Sequence, residues 1–547
     1  MPSDLSPERG RDRRASIAVA LTAARRAVRS AAVWGLALGW LVMNEALGYH
    51  RGFPTVAART EFARTFGDNS GLAAVVGPGR RLDTIEGFVA WRMFGLLIIV
   101  GAVWGLLTAT RLLRGEEDAG RWELLLAGRT TRRRATVQVL AGLAVGYVTL
   151  WALVAGFTVA AGLRPRVGFP VGASLFYATA ATASAALFLA VGALTSQLAT
   201  TRRQANGLGA AVLAVCFLVR MLADSGLGLE GLRWASPLGW IEELRPLTGS
   251  QPLALVPVVL LVAATAAAAV VAADRRDVGA GLLARAPSTA ARTRLLEGPA
   301  RLALRLERWV ALGWVVSLAL LALVFGVVAR SAAAANLADS AVAETVGRLG
   351  GRQTGAAAWI GYEFLFLAAL LAVAATTQVS ALRGEEATGR LDNLLARPLR
   401  RTTWLAGRLG VAAALVAVAG LVSGVGGWIG IAAREGGVGL GAMLQAGANI
   451  VPPAIFVLGL GTLLYGLAPR LAAPALHGLV AWSFVVQILG SGITTNRWVL
   501  DTAVFSHLGP VPAASLDWTA VAWLVGLGVA AAVGGLAAFG HRDLVSE

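Results

Sequence analysis

Apolar runs of roughly twenty residues alternate along the chain with short segments that hold most of its charge. A helix needs about 20 apolar residues to cross the roughly 30 Å hydrocarbon core of a bilayer. The runs predict spans near 31–49, 88–112, 139–163, 172–197, 205–222 and 253–273. A second set follows near 309–329, 357–381, 407–432, 444–467, 473–492 and 519–540. They are continuous and rich in Ala, Leu, Val and Gly, whereas a membrane strand shows about ten residues of alternating polarity. Helices are then the way to satisfy every backbone group in lipid. The expected fold class is an all-α polytopic membrane protein of about 12 transmembrane helices in two parallel six-helix repeats. An even number of spans per half starts both halves on the same face.

Three pairs of segments support the repeat. Ala37-Leu38-Gly39-Trp40 returns as Ala311-Leu312-Gly313-Trp314 in the opening span of each half. Residues 113–127 and 382–396 share ten of fifteen positions, from Leu113-Arg114-Gly115-Glu116-Glu117 and Leu382-Arg383-Gly384-Glu385-Glu386 onward. Ser236, Leu238 and Gly239 match Ser506, Leu508 and Gly509 before each half's last span. The expected organisation is a basic tail over 1–30, a first six-helix half over 31–275, a basic linker over 276–308 and a second six-helix half over 309–547. The linker, with Pro287 among its arginines, is expected along an anionic leaflet.

Composition sharpens this picture. Of 547 residues, 56% are hydrophobic and 14% charged, with a mean hydropathy of +0.68. Soluble domains carry about a quarter charged residues. The net charge of +17 lies mostly in the tail, the linker and alternate loops. Positive-inside bias therefore places both termini in the cytoplasm of a multi-pass cell-membrane protein. Arginines spread over short loops argue against nucleic-acid binding. Cys216 has no partner for an internal disulfide, and His50, His477, His507 and His541 show no metal-ligand spacing. All 48 basic residues are arginine, so the chain lacks the lysine a Walker A loop places on nucleotide phosphates. The Gly226–Gly231 GxGxxG match follows a membrane span, with no strand before it. No catalytic or metal site is expected, and no residue identifies a substrate pocket.

The repeated acidic segment carries the functional reading. Glu116, Glu117 and Asp118 open a short helix where its dipole favours negative charge, and Arg132, Arg133 and Arg134 lie beyond its end. Trp122, Leu125 and Leu126 share one face by i, i+3, i+4 spacing. The second copy offers Leu391, Leu394 and Leu395, then Pro398. With these marks the chain resembles type-2 ABC exporter permeases, in which an acidic pair, a glycine and Leu-Leu follow the second span and form a coupling helix. The doubled arrangement resembles the tetronasin-type antibiotic exporters among them.

That resemblance implies a permease that moves a lipophilic or antibiotic-like substrate out of the cell. ATP and Mg would be bound by two separate ATP-binding-cassette subunits, with no cofactor in this chain. It assigns contact with those subunits to Glu116, Glu117, Gly120, Arg121 and Glu123, and to Glu385, Glu386, Gly389, Arg390 and Asp392. It also implies an external re-entrant segment at Pro237, Gly239 and Trp240, matched less closely by Gly509 and Pro510. Membrane lipids are the remaining expected partner. Two rivals stand beside this reading. An ion-coupled secondary transporter would use intramembrane acids such as Glu45 or Glu363. A membrane-embedded enzyme would need clustered groups, where the outer loops show dispersed Asp68, Asp83, Glu86, Glu242 and Glu243.

Overall fold

The computed structural model describes residues 6–67, 73, 76–127, 130–224, 228–283, 295, 298–336, 356–433, 437–493 and 497–544, and every regular element among them is helical. The chain divides into two compact units, Met1–Thr289 and Ala290–Glu547. The boundary falls inside the expected linker.

The first unit holds α1 (Ser6–Gly52), α2 (Val56–Gly67), α3 (Ile85–Leu112), α4 (Arg114–Asp118), α5 (Arg121–Leu126), α6 (Arg132–Gly162), α7 (Val171–Leu198), α8 (Arg202–Ala223), α9 (Pro237–Glu242) and α10 (Leu255–Asp274). The second holds α11 (Pro299–Asn336), α12 (Ala356–Ala387), α13 (Arg390–Leu395), α14 (Arg401–Ala432), α15 (Leu440–Asn449), α16 (Val451–Leu467), α17 (Pro469–Ile493), α18 (Arg497–Leu500) and α19 (Trp518–His541). Among the described residues, eleven candidate spans are long and apolar enough to cross a bilayer. The remaining expected span, 473–492, lies within α17, whose 25 residues reach roughly 37 Å at helical rise.

Three boundaries differ from the hydropathy reading. The basic tail continues the first span without a break, so α1 begins at Ser6. Likewise α11 starts at Pro299, inside the stretch expected as linker. Alanine and arginine are strong helix formers, so charge ends an apolar run without ending a helix. The span expected at 444–467 is divided between α15 and α16, where Pro452 and Pro453 remove two backbone donors.

Side-chain caps set several starts. Thr84, Thr131 and Thr201 each accept from the backbone N–H three residues on, and Asp517 accepts from Thr519 and Ala520. Both units then use the same contacts. The first long helix packs on the third (α1 on α6, α11 on α14), the second on the fourth (α3 on α7, α12 on α16), and the fourth on the last (α7 on α10, α16 on α19). Small residues let the backbones approach. The glycines of α14 sort into two stripes: Gly426 and Gly430 meet the α11 backbone, while Gly420, Gly424 and Gly427 meet residues of α15 and its neighbours Val451 and Phe364.

Candidate functional site

Each unit carries an acidic elbow at the end of its second long helix, with Glu116 and Glu117 on the separate α4 and Glu385 and Glu386 in the last turn of α12 itself. In both, a glycine with left-handed backbone turns the chain into a six-residue helix. Gly120 has φ 71° before α5, and Gly389 has φ 67° before α13. A side chain at such a φ clashes with its own backbone, so glycine recurs at both turns.

The base of the first elbow is buried. Trp122 joins the core, while Arg121, Glu123 and Leu124 face outward, Leu124 with 79% of its surface exposed. The Leu125 side chain lies outside the described residues. In α13, Leu391 is fully buried and Arg390, Asp392 and Asn393 are exposed. Between α5, α1 and α6 lies a cavity of about 240 Å³, floored by Ala23, Leu112 and Val139 and rimmed by Arg26, Glu116 and Arg121.

The two acids of each pair do different work. Glu117 is 8% exposed and Glu386 2%, so neither is the surface charge that its polar segment suggests. Glu117 receives both terminal nitrogens of Arg276 at 2.6 Å and the Gly279 N–H at 2.7 Å. Arg276 also donates to Gln197 Oε1 at 2.7 Å. Arg114, beside it, donates to the carbonyls of Thr200, Gly279 and Ala280. In the second unit Glu386 receives both terminal nitrogens of Arg542 at 2.7 Å, and that guanidinium lies over the Tyr465 and Phe539 rings.

The first acid of each pair reaches other helices. Glu116 bonds Arg26 of α1 at 2.7 Å and Arg121 at 2.6 Å. Glu385 pairs with Arg408 of α14 at 2.9 Å, and Arg408 also meets Glu307 of α11 at 3.4 Å. Sequence reasoning missed these arginines, although a signal was present. Arg276-Asp277 and Arg542-Asp543 both follow the last apolar run of their unit.

The opposite end of the first unit holds a second group of buried charges. Ser236, Pro237 and Gly239 form the start of α9, where Ser236 donates to the Cys216 carbonyl at 2.7 Å and Trp240 donates to the Trp234 carbonyl at 2.7 Å. Glu242 and Glu243, expected as dispersed, instead join Asp224, Arg220, Arg233, Arg245 and Arg80. Arg233 meets Asp224 at 2.6 Å and Arg220 meets Glu242 at 3.7 Å. Burial pushes the Glu242 carboxyl up to about 8, with Arg220 opposing and Asp224 adding to the rise. In the second unit Gly509 accepts from Asn449 at 2.9 Å, and Pro510 backs onto Gly361. No group of three metal-ligating side chains occurs among the described residues, and Asp68 lies outside them.

Comparison with known proteins converges on transport. The sequence profile described as the multidrug efflux system permease Rv1217c, C-terminal domain, matches residues 35–274 and 296–540, one stretch in each unit. The multidrug efflux system permease protein Rv1217c of Mycobacterium tuberculosis (strain ATCC 25618 / H37Rv) is 31% identical over 499 residues, covering 90% of this chain and 88% of that protein.

Proposed function

The chain belongs to the family of the multidrug efflux permease Rv1217c, and from that premise we propose that it is the membrane subunit of an exporter driven by ATP hydrolysed in separate chains. One observation carries the reading: both units present the same exposed face on a short helix whose base is buried. Arg121 and Glu123 in α5 correspond to Arg390 and Asp392 in α13. A cation and an acid repeated on two solvent-facing helices suit recognition by a polar partner surface better than contact with lipid.

The proposal places the elbow end in the cytoplasm, in line with the excess of arginine there. It takes the two units as products of duplication and fusion, so that one chain engages two ATP-binding-cassette subunits. ATP and Mg belong to those subunits. The cargo is a lipophilic compound of the antibiotic type. Short segments around Trp240 and Pro510 close the opposite end. The alternative of an ion-coupled carrier has no comparable repeated feature.

The test uses Glu123→Arg with Asp392→Arg, two exposed positions clear of the elbow's buried pairs. Reversal sets like charges against each other and is expected to weaken docking by about 10-fold or more. Permease abundance should stay near wild type while co-purified ATPase and efflux per molecule fall together. Unchanged efflux at normal abundance would refute the docking role, and a wild-type chain that exports without any ATPase would refute the energy source.

A further inference from the structure

We infer that Arg276 and Arg542 are positioning residues that bind the last span of each unit to its elbow, so that a displacement of α5 or α13 moves the last span as well as the second. The inference rests on the docking role proposed above for those two helices.

The arginines come from equivalent places. Arg276 lies two residues beyond the end of α10, and Arg542 directly follows α19. Each closes a two-pronged pair with the second acid of its elbow, Glu117 or Glu386, across 159 and 156 residues of chain. A guanidinium fork grips a carboxylate in one orientation, unlike a lysine point charge. The pair therefore fixes direction as well as distance. The third long helix is tied to the same place. Arg132, first residue of α6, reaches Asp277 at 3.4 Å, and Arg401, first residue of α14, donates to the Arg542 carbonyl at 2.6 Å. With Glu116 paired to Arg26 of α1 in the first unit, and Glu385 linked through Arg408 to α11 in the second, each elbow is tied to the first, third and last long helices of its unit.

Stability alone explains this arrangement poorly. Burying an ion pair costs desolvation that its attraction barely offsets, and apolar replacements often serve as well. Keeping the same costly pair in two units that have otherwise diverged is better explained by what the pair positions. Arg276 holds the elbow to the end of α10 without slack.

The experiment compares Arg276→Lys with Arg542→Lys, singly and together, in full-length chain with its ATPase. Lysine keeps the charge and loses the fork. The expected result is normal abundance and normal ATPase retention, with efflux per molecule down about 10-fold in the double variant. Basal ATP hydrolysis persists and drug-stimulated hydrolysis is lost. Arg64→Ala, which breaks only the exposed pair with Glu61 on α2, should export normally. Wild-type efflux in the double variant at normal abundance would overturn the inference, and so would a loss of efflux that merely tracks loss of bound ATPase. A wild-type chain that binds no ATPase would defeat the docking proposal instead, while the efflux comparison would still stand.

A second measurement leaves the latch intact and covers the case in which the lysine variants do not accumulate. Spin labels at Leu124→Cys and Val271→Cys, in a Cys216→Ser background, report the separation of α5 and α10. That separation should stay constant between resting and drug-plus-ATP states. A shift of several ångströms between them would overturn the coupling.

Discussion

A methyl group added to α14 should stabilise at one glycine and destabilise at another on the same helix. At Gly410, which is exposed, an added Cβ has no heavy atom within 4 Å. Gly410→Ala therefore changes only backbone freedom, and relief of the glycine penalty is worth about 0.5–1 kcal/mol. At Gly430 the Cβ would lie 2.8 Å from Val327 N and 3.0 Å from Leu323 C, and closer still to the Leu323 carbonyl oxygen. The obstacle is backbone of α11, which has no rotamer to escape into, so the two helices must separate. Overpacking of this kind costs about 1–3 kcal/mol, and the same propensity gain offsets part of it. The net expectation is a loss of about 1–2 kcal/mol, opposite in sign to Gly410→Ala. Thermal unfolding midpoints of both variants in one mild detergent decide the matter, with efflux per molecule alongside. Gly430→Ala should lower both readings and Gly410→Ala neither. If Gly430→Ala raised the midpoint as much as Gly410→Ala, the tight α11–α14 contact would be refuted.

Two more outcomes follow from other sites. Gly120 has a positive φ with no atom near its missing Cβ, so Gly120→Val should pay only the left-handed backbone cost of about 1–2 kcal/mol. Gly120→Asn should be tolerated, and a loss of efflux in the valine variant with recovery in asparagine would check this; equal effects would count against the turn. At Glu242, a folded-state value of about 8 lies above the ordinary carboxyl range. Protonation then favours the folded state, and that stability fades as pH rises from about 4.5 to about 8. Wild-type thermal stability should fall between pH 6 and pH 8.5, and Glu242→Gln should flatten the profile. A wild-type profile that is flat or rises would exclude the shared burial of Glu242 and Asp224.

Much of the fold was legible because lipid leaves few options. Eleven of the predicted spans correspond to candidate spans, and the last falls within α17. Exact ends were not legible where the determining group is a cap, as at Thr131, or a helix that continues through its own charges, as in α1. The elbows were found from the repeat of Arg-Gly-Glu-Glu, yet the depth of Glu117 and Glu386 was not. Their burial depends on arginines more than 150 residues away, and nothing local to 113–127 reports where those arginines go. The same holds for Glu242 and Glu243, which read as scattered loop acids until the fold brings them beside Asp224 at the end of α8. Pairing the two units position by position would have exposed Arg276-Asp277 beside Arg542-Asp543, since a repeat that preserves a charge after a span preserves it for a contact.

The two ends of the units therefore carry unequal information. At the elbow end the units agree in the left-handed glycine, in the acidic pair and in the arginine that closes it, although Glu116 and Glu117 lie on the separate α4 and Glu385 and Glu386 lie in the last turn of α12. At the far end they differ: the first unit buries Asp224, Glu242 and Glu243 among four arginines, and the second presents Val504, Phe505, Leu508 and Val511 as buried apolar contacts. A paired polar network resists small displacements, because each shift strands a charge at low dielectric. An apolar contact slides at smaller cost as long as its surface stays covered. Under the docking role proposed above, the same input at the two elbows would meet a stiff far end in the first unit and a compliant one in the second. On these grounds Glu242→Gln, assayed at pH 8.5 where the wild-type carboxyl carries its charge, should alter efflux more than any single apolar-to-apolar exchange among Val504, Phe505 and Leu508.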